Sequence, residues 1–176
     1  MSRLAKKPIP QGRAEVSFAG DTLTVKGPKG VLTKRVHPTI AIAVAPEGVS
    51  ITAKNNSRLG KALTGTYASH VRNMVKGVET PYKKGLILEG VGYRVEVKGK
   101  DLQFTVGFSH PVKLPIPGDV TANVEKNVIT LESPNKESVG QFAAVVRGVK
   151  PPEPYLGKGI RYQGEVIRRK QGKKAV

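Results

Sequence analysis

Apolar and polar residues alternate in four short stretches of the chain. A period of two residues is typical of a β-strand with one buried and one exposed face. The apolar positions of these stretches are Ala14, Val16 and Phe18; Leu23 and Val25; Tyr93, Val95 and Val97; and Leu102, Phe104 and Val106. Glycine-containing turns separate neighbouring stretches, so the pattern predicts short antiparallel strands in sheets that need a cover on one face.

Two other segments have the apolar spacing of amphipathic helices, and they predict that cover. The predicted buried positions are Leu59, Leu63, Thr66, His70 and Met74 in the first helix, and Val139, Phe142, Ala143 and Val146 in the second. Ser133 followed by Pro134 is typical of an N-cap and a first helical turn, which places the start of the second helix there.

Short motifs recur in the two halves of the chain and indicate an internal repeat. Val-Lys-Gly at 25–27 and 97–99 is followed in each half by His-Pro, at 37–38 and 110–111. An Ile-Thr pair precedes each helical segment, and a Gly ends each helical pattern. The distance from this Ile to this Gly is 26 residues in the first half and 19 residues in the second. The difference is about two helical turns, which lengthens a helix without rotating its buried face.

The sequence therefore predicts an α+β fold of two tandem similar units, each an antiparallel β-sheet packed against one α-helix. We place the first unit at residues 1–82 and the second at residues 83–155, followed by a basic C-terminal extension at residues 156–176. The first part carries 13 basic and 4 acidic side chains, the second 10 and 8, and the third 7 and 1.

The formal net charge of +17 indicates a polyanionic partner. Nucleic acid is the foremost candidate for a surface this basic, and an anionic membrane is the alternative. No cysteine is present, which excludes a disulfide scaffold and a thiolate zinc site. The chain has no apolar run near the roughly 20 residues that span a bilayer and no apolar core of a signal peptide. We therefore expect a cytoplasmic protein without a metal or other cofactor.

The sequence offers little for catalysis. Glu89, Glu96 and His110 are the one plausible acid–base cluster, and nothing in the sequence brings them into one pocket. His37 and His110 occupy equivalent repeat positions before proline, which favours a role in a turn or in the core. The segment 89–93 lacks the third glycine of a dinucleotide site; its glycines fit a bend that starts a strand, or a close approach to a phosphate backbone. We expect no enzymatic activity.

The residue types that bind RNA are concentrated near the C-terminus. Prolines at 151, 152 and 154 fix an extended path, and two glycines that flank a lysine are expected to open the backbone N–H groups to phosphate oxygens. Tyrosines offer flat surfaces on which unpaired bases stack. The residues expected to bind RNA here are Tyr155, Gly157, Lys158, Gly159, Arg161, Tyr162, Arg168, Arg169, Lys170, Lys173 and Lys174. The alternative is a strand and turn with a basic tail, and the run from Arg168 on is expected to be ordered only by its partner.

A second candidate surface lies on the first predicted helix, where basic and very small residues share one stripe. The stripe consists of Arg58, Lys61, Gly65, Ala68, Arg72 and Lys76. It could lie along a phosphate backbone, with the small residues permitting close approach; a solvated face of a basic protein explains it equally well.

Four segments, in order along the chain, resemble the bacterial form of the large-subunit ribosomal protein L6 family. They are Ser2-Arg3-Leu4-Ala5-Lys6-Lys7-Pro8-Ile9, Gly90-Val91-Gly92-Tyr93-Arg94, Gly107-Phe108-Ser109-His110-Pro111 and Pro152-Glu153-Pro154-Tyr155-Leu156-Gly157-Lys158-Gly159-Ile160-Arg161-Tyr162. The similarity runs over essentially the full chain. It adds Arg94 to the residues expected to bind ribosomal RNA.

The resemblance implies a structural component of the large ribosomal subunit with no enzymatic activity. It implies two copies of a small α+β unit that bind large-subunit (23S) rRNA, mainly through the second unit and the C-terminal tail, near the elongation-factor-binding side. Its partners would be that rRNA and neighbouring ribosomal proteins, with no membrane, no small-molecule substrate and a single copy in the ribosome. A free chaperone that binds RNA or DNA unspecifically is the alternative class.

Two positions depart from the pattern of the family. Leu156 replaces a lysine that is usual in the C-terminal signature, which removes one phosphate contact. Ala68 stands where an arginine is usual, and Arg72 lies one turn later on the same stripe. We hypothesise that Arg72 takes over that contact.

Overall fold

The structure, a computed structural model, describes residues 7–55 and 57–172. Short antiparallel strands and two helices form two compact units, which confirms the predicted α+β fold of two tandem similar units. Among these described residues, the first unit holds those up to Pro81 together with Pro134–Lys136, and the second holds Tyr82–Ser133 together with those from Glu137 to Gly172. No helix in these described ranges is long and apolar enough to cross a membrane.

Between residues 7 and 81, leaving out residue 56, the first unit shows five strands and one helix. They are β1 (Glu15–Ala19), β2 (Thr22–Gly27), β3 (Gly30–Arg35), β4 (Ile40–Ala45), β5 (Gly48–Ala53) and α1 (Arg58–Glu79). The first three strands form an antiparallel meander, and β4 pairs with β5 in a hairpin. Ile9 adds a single bridge to the other edge of β5, with two backbone hydrogen bonds of 2.9 Å to Val49.

Alternation along the strands buries one side of the sheets against α1. Leu23 and Val25 of β2 are buried in the same core as Val78 of α1. The β2–β3 hairpin reaches the end of the helix, where the Lys29 N–H donates to the Val78 carbonyl at 3.0 Å. A Cβ on Gly27 would lie 2.6 Å from a methyl carbon of Val78, so the hairpin packs this closely because residue 27 is glycine.

The buried side of α1 differs from the predicted one. The small residues Gly60, Thr64 and Ala68 are buried, and Ala68 is 1% exposed. Leu59, by contrast, is 56% exposed, and Met74 is the one predicted position that is fully buried. The predicted stripe of basic and small residues therefore does not include Ala68, which belongs to the core.

Close packing at the start of the helix explains this difference. A Cβ on Gly60 would lie 2.8 Å from the backbone oxygen of Asn55 and 3.1 Å from the Cβ of Ala53. The buried Thr64 hydroxyl donates to the Gly60 carbonyl at 2.8 Å, so its burial leaves no unpaired polar atom. Small side chains let the helix approach the sheet, whereas a search for large apolar residues selects another face.

The second unit, described as far as residue 172, shows seven strands and one helix. They are β6 (Tyr82–Glu89), β7 (Arg94–Lys98), β8 (Asp101–Thr105), β9 (Val112–Pro115), β10 (Thr121–Glu125), β11 (Val128–Ser133), α2 (Lys136–Val149) and β12 (Gly159–Tyr162). One sheet has the order β10-β11-β6-β12, and the other is the meander β7-β8-β9. The predicted apolar stripe of α2 is buried, which confirms it. The helix begins at Lys136 and not at the predicted Ser133, because Ser133 ends β11 and pairs there with Tyr82.

The structural repeat pairs other residues than the sequence motifs suggest. The β1–β2 and β7–β8 hairpins both turn through a glycine with positive φ, +60° at Gly20 and +64° at Gly99. His37, however, precedes β4 and His110 precedes β9, so the predicted equivalence of these two histidines is wrong. Each hairpin of a meander has similar residues at its strand ends. A short motif therefore shows that a strand ends there, but it does not show which strand it is. The two helices have 22 and 14 residues, a difference close to two turns.

The chain returns to the sheet after α2. Strand β12 pairs with β6, from Gly159 opposite Glu89 to Tyr162 opposite Leu86. Ile160 of β12 is fully buried in the core of the second unit, to which α2 also contributes. A strand and a turn are therefore present in this segment. Burial of Ile160 extends the compact second unit past residue 155, where the sequence predicts its end.

Replacing Ala68 by leucine tests the observed buried side of α1. Because Ala68 is 1% exposed within the first core, Ala68→Leu is expected to destabilise the first unit by about 1–3 kcal/mol through overpacking. Ala62 is exposed on the same helix, and Ala62→Leu is expected to change stability by no more than about 0.5 kcal/mol. Urea unfolding followed by circular dichroism measures both, and equal effects of the two substitutions would contradict the packing.

Candidate RNA-binding surface

The connection between α2 and β12 is a loop closed by its own backbone. The Ile160 N–H donates to the Lys150 carbonyl at 2.8 Å, and the Glu153 N–H donates to the Lys158 carbonyl at 2.9 Å. Prolines on both sides of Glu153 restrict the backbone further. At the turn of this loop Tyr155 is 56% exposed, so the loop holds an exposed aromatic ring on a fixed backbone.

Gly157 and Gly159 serve the packing of this loop. Both are buried, with φ of +78° and +138°. A Cβ on Gly159 would lie 2.6 Å from the Pro151 carbonyl oxygen, and one on Gly157 would lie 3.2 Å from the Arg169 guanidinium. The prediction that these glycines open the backbone to phosphate is wrong in this respect, because the close approach that they permit is to the chain itself.

Two ion pairs surround β12. The Arg161 guanidinium donates from Nε and Nη2 to Glu89 Oε1 of β6, at 3.2 and 2.5 Å. The Arg147 guanidinium of α2 donates from Nη2 and Nε to the two carboxylate oxygens of Glu165, at 2.7 and 3.2 Å. Arg161 also donates from Nη1 to the Glu165 carbonyl at 3.3 Å. The two pairs thus connect β6, β12, α2 and the chain that follows β12.

These contacts shift the pKa values of both carboxyl groups downward. The hydrogen bond from Arg161 lowers the pKa of Glu89 below its ordinary 4.5, and the positive charges of Arg161 and Arg169 act in the same direction. The hydrogen bonds from Arg147 and from the Tyr162 N–H, the latter 2.9 Å long, lower the pKa of Glu165. Desolvation opposes both shifts without reversing them. Arg161, predicted to meet a phosphate, is therefore already engaged by an ionised carboxylate at neutral pH.

The two tyrosines differ in the access that they give to a base. The Tyr162 ring packs on the second core, and Lys84 Nζ and Arg147 Cζ each lie 5.7 Å from its centroid. Cations of this chain therefore already interact with that ring. Tyr155 carries no such packing in the core and is the tyrosine available for stacking.

The basic run after β12 is held in place although it has no helix or strand. Arg168, Arg169 and Lys170 are exposed. The Lys170 N–H donates to the Pro154 carbonyl at 2.8 Å, which attaches the run to the proline loop. This bond gives the end of the run at Lys170 a contact within the chain itself, which the sequence does not predict. Lys173 and Lys174 lie outside the described residues.

Arg94 lies on the other sheet of the second unit. It is exposed on β7 and lines a shallow cavity of about 300 Å³ with polar residues of β7 and β8. Glu96 and Lys98 of the same cavity form a surface ion pair of 3.5 Å. Lys158, half-buried in the proline loop, is on the sheet edge that carries β12, so these two predicted contacts belong to separate parts of the unit.

The basic residues of α1 are accessible to a partner. Arg58, Lys61, Arg72 and Lys76 are all exposed. Ala68 is not, so a side chain at this position has no access to a partner in this chain. Arg72 is exposed one turn later, and the hypothesis that it takes over the contact of the arginine usual at position 68 stays a prediction.

The predicted acid–base cluster has other partners. Glu89 is paired with Arg161 and Glu96 with Lys98, and His110 lies in the turn before β9. Across residues 7–55 and 57–172, no group of three or more His, Asp or Glu side chains could hold a metal ion.

Comparison with known proteins identifies the family. The family model described as Ribosomal protein L6 matches residues 9–80 and 89–163, one segment in each unit. The chain belongs to the ribosomal protein L6 family. It is 48% identical over 177 residues to the Large ribosomal subunit protein uL6 of Salinispora tropica, with 98% of each chain covered. The corresponding protein of Chlamydia trachomatis is 48% identical over 180 residues (99% of this chain, 97% of the relative), and that of Desulfosudis oleivorans 43% over 174 residues (98% and 99%).

Membership of the L6 family decides between the functional classes. The chain is a structural ribosomal protein and not an enzyme, as the sequence predicts. Its cytoplasmic location follows from the same membership. The free nucleic-acid chaperone is set aside, because the family match covers both units.

Sequence reasoning did not find the Arg147–Glu165 pair in this L6 chain. One signal was present: Glu165 is the single acidic residue among seven basic ones in residues 156–176. An acidic side chain within a segment of cations indicates an ion pair within the fold. Its partner, 18 positions earlier on α2, has no signal of its own in the sequence.

Acid should weaken the Glu89–Arg161 pair. A carboxyl group with a lowered folded pKa contributes stability that is complete above its unfolded pKa and is lost as the pH falls through the folded value. Thermal unfolding should therefore show Glu89→Gln melting a few degrees below the parent at about pH 6, with the difference closing toward about pH 3. Glu96→Gln, which removes an exposed surface pair, should show no such closing difference. A Glu89→Gln difference that is constant with pH would contradict the pairing.

Proposed function

We propose that this protein is a structural constituent of the large ribosomal subunit that binds 23S rRNA mainly through the segment after α2. The observation that carries the proposal is the exposed run Arg168–Lys170, fixed to a folded core by the Lys170–Pro154 hydrogen bond. Cations in fixed positions fit one arrangement of phosphates without a further ordering cost. The names of the relatives support the large subunit as its place.

Two kinds of contact follow from the geometry. Arg168, Arg169 and Lys170 meet phosphate oxygens, because they are exposed and not paired in the way that Arg161 is. Tyr155, on the rigid turn of the proline loop, stacks on an unpaired base or packs against a sugar. Lys158 of the same loop adds a phosphate contact beside it.

Other predicted residues act through the fold. Gly157 and Gly159 close the proline loop on the chain itself, Arg161 joins β12 to β6 through Glu89, and Tyr162 packs on the core. Their place in the signature that resembles the L6 family reflects the architecture that presents the cations. The same resemblance supports a position near the elongation-factor-binding side and contacts with neighbouring ribosomal proteins.

A second, weaker contact lies on α1. Its exposed cations Arg58, Lys61 and Arg72 form one face of a long helix, and Arg94 supplies a further cation on the β7 sheet. Phosphate contacts of this kind position a protein without reading sequence.

Removing the cations of the basic run tests the main contact. Arg168→Ala, Arg169→Ala and Lys170→Ala together should weaken binding to a 23S rRNA transcript and lower the slope of log K against log salt by about 2 to 3, because each phosphate contact contributes about 0.7 to 0.9. Filter binding between low and moderate salt measures it. Lys26→Ala, Lys29→Ala and Lys54→Ala together remove the same charge from exposed positions of the first unit and should leave the slope nearly unchanged. Equal losses in both variants would contradict the proposal.

Deletion from Arg168 is a companion test that keeps Ile160, whereas a cut after Tyr155 would remove this buried residue.

The α1 contact has its own test. Arg58→Ala, Lys61→Ala and Arg72→Ala together should lower the salt slope by about 1, fewer contacts than the basic run supplies. The same filter-binding series measures it. A slope equal to that of the parent chain would remove α1 from the interface.

A further inference from the structure

Glu165 is a carboxylate in the most basic part of the chain, and every part of it is engaged. Its Oε2 accepts from Arg147 Nε and from the Tyr162 N–H, at 3.2 and 2.9 Å, and its Oε1 accepts from Arg147 Nη2 at 2.7 Å. The Glu165 side chain is 26% exposed and that of Arg147 33%. A bidentate, half-buried pair of this kind holds its two partners in a defined geometry.

The pair fixes the direction in which the chain leaves β12. Arg147 belongs to α2, and the Tyr162 N–H belongs to the last residue of β12, so Glu165 joins its own segment to both. Its backbone adds two bonds, from the Glu165 N–H to the Tyr162 carbonyl at 3.0 Å and from Arg161 Nη1 to the Glu165 carbonyl. Three residues later the basic run begins, and the Lys170–Pro154 bond holds its far end.

We propose that Glu165 and Arg147 are positioning residues for rRNA binding. They hold Arg168, Arg169 and Lys170 in one arrangement. The Glu165 carboxylate therefore strengthens binding, although its negative charge lies near a polyanion. This role rests on the proposed function of the basic run. Arg147 accordingly acts through Glu165 and not by direct contact with a phosphate.

Positioning and simple electrostatics predict opposite signs. Removing a carboxylate near a polyanion removes like-charge repulsion, which by itself strengthens binding. Releasing the basic run instead adds an ordering cost to binding, which weakens it. The direction of the change in affinity therefore separates the two.

The first experiment needs no RNA. Glu165→Gln should raise the rate of tryptic cleavage after Arg168, Arg169 and Lys170 by about tenfold under native conditions, because local opening controls cleavage. Glu96→Gln makes the same change of charge at a surface pair of β7 and should cleave as the parent does. Mass spectrometry identifies the cut sites, and thermal unfolding confirms that both variants fold. Equal cleavage rates in all three chains would overturn the positioning role.

The second experiment measures affinity for a 23S rRNA transcript. Glu165→Gln should bind about five- to tenfold more weakly than the parent, whereas Glu96→Gln should bind equally or more tightly. Arg147→Gln combined with Glu165→Gln has the net charge of the parent and should show the same loss as Glu165→Gln alone, since both substitutions break one pair. Tighter binding by Glu165→Gln would overturn the proposal. If Glu165→Gln does not fold, Arg147→Lys, which keeps the cation but not the planar fork, replaces it in both experiments.

The two proposals fail in distinguishable ways. If the chain with three alanines at Arg168–Lys170 binds the transcript as well as the parent, the proposed function is overturned, whatever Glu165→Gln does. If that chain loses affinity and Glu165→Gln does not, the positioning role alone is overturned.

Discussion

The pairing of β12 with β6 is the interaction on which the segment after α2 depends for its structure. Ile160 is fully buried in the second core, and its backbone N–H closes the proline loop on Lys150. The chain can pass there because residue 159 is glycine, with the Pro151 carbonyl 2.6 Å from where a Cβ would be. The chain from α2 through β12 is therefore part of the folded unit, and the exposed cations at 168–170 follow a firmly packed strand.

Charge count alone overstates what this segment offers a partner. Arg161 and Arg147 are bound to carboxylates in half-buried positions, and a phosphate that recruited either guanidinium would leave a carboxylate without its partner. The cations that remain available to a partner are those the fold leaves exposed. A basic surface of this kind contains two sets of cations. Those that are partly buried and ion-paired stabilise the fold, and those that are exposed and unpaired are available to a partner.

Much of the fold follows from the sequence because it depends on local patterns. Alternation predicts strands such as β2 and β8, and the apolar spacing predicts α2. In the first half of α1 the buried side was missed because Gly60, Thr64 and Ala68 pack through their small size, which a hydrophobic pattern does not register. In the second half Val71, Val75 and Val78 do have an apolar helical spacing, in line with these small residues. The Glu89–Arg161 pair joins residues 72 positions apart, and no local rule connects them. Residue types near the C-terminus thus indicate RNA binding, while the division of roles among them depends on long-range contacts.

The two units differ most at one sheet edge. Each has a hairpin directly before its helix, β4–β5 in the first and β10–β11 in the second, and an unpaired edge there would expose backbone groups. In the first unit Ile9 covers the edge of β5 with a single bridge. In the second, β6 pairs along the whole of β11, and β12 then adds four residues to β6. The added strand is short, and the basic run begins a few residues after it. The extension of this edge therefore both completes a sheet and attaches the cations to it. The second unit thus gains a strand that contributes Ile160 to its core and carries the exposed cations behind it.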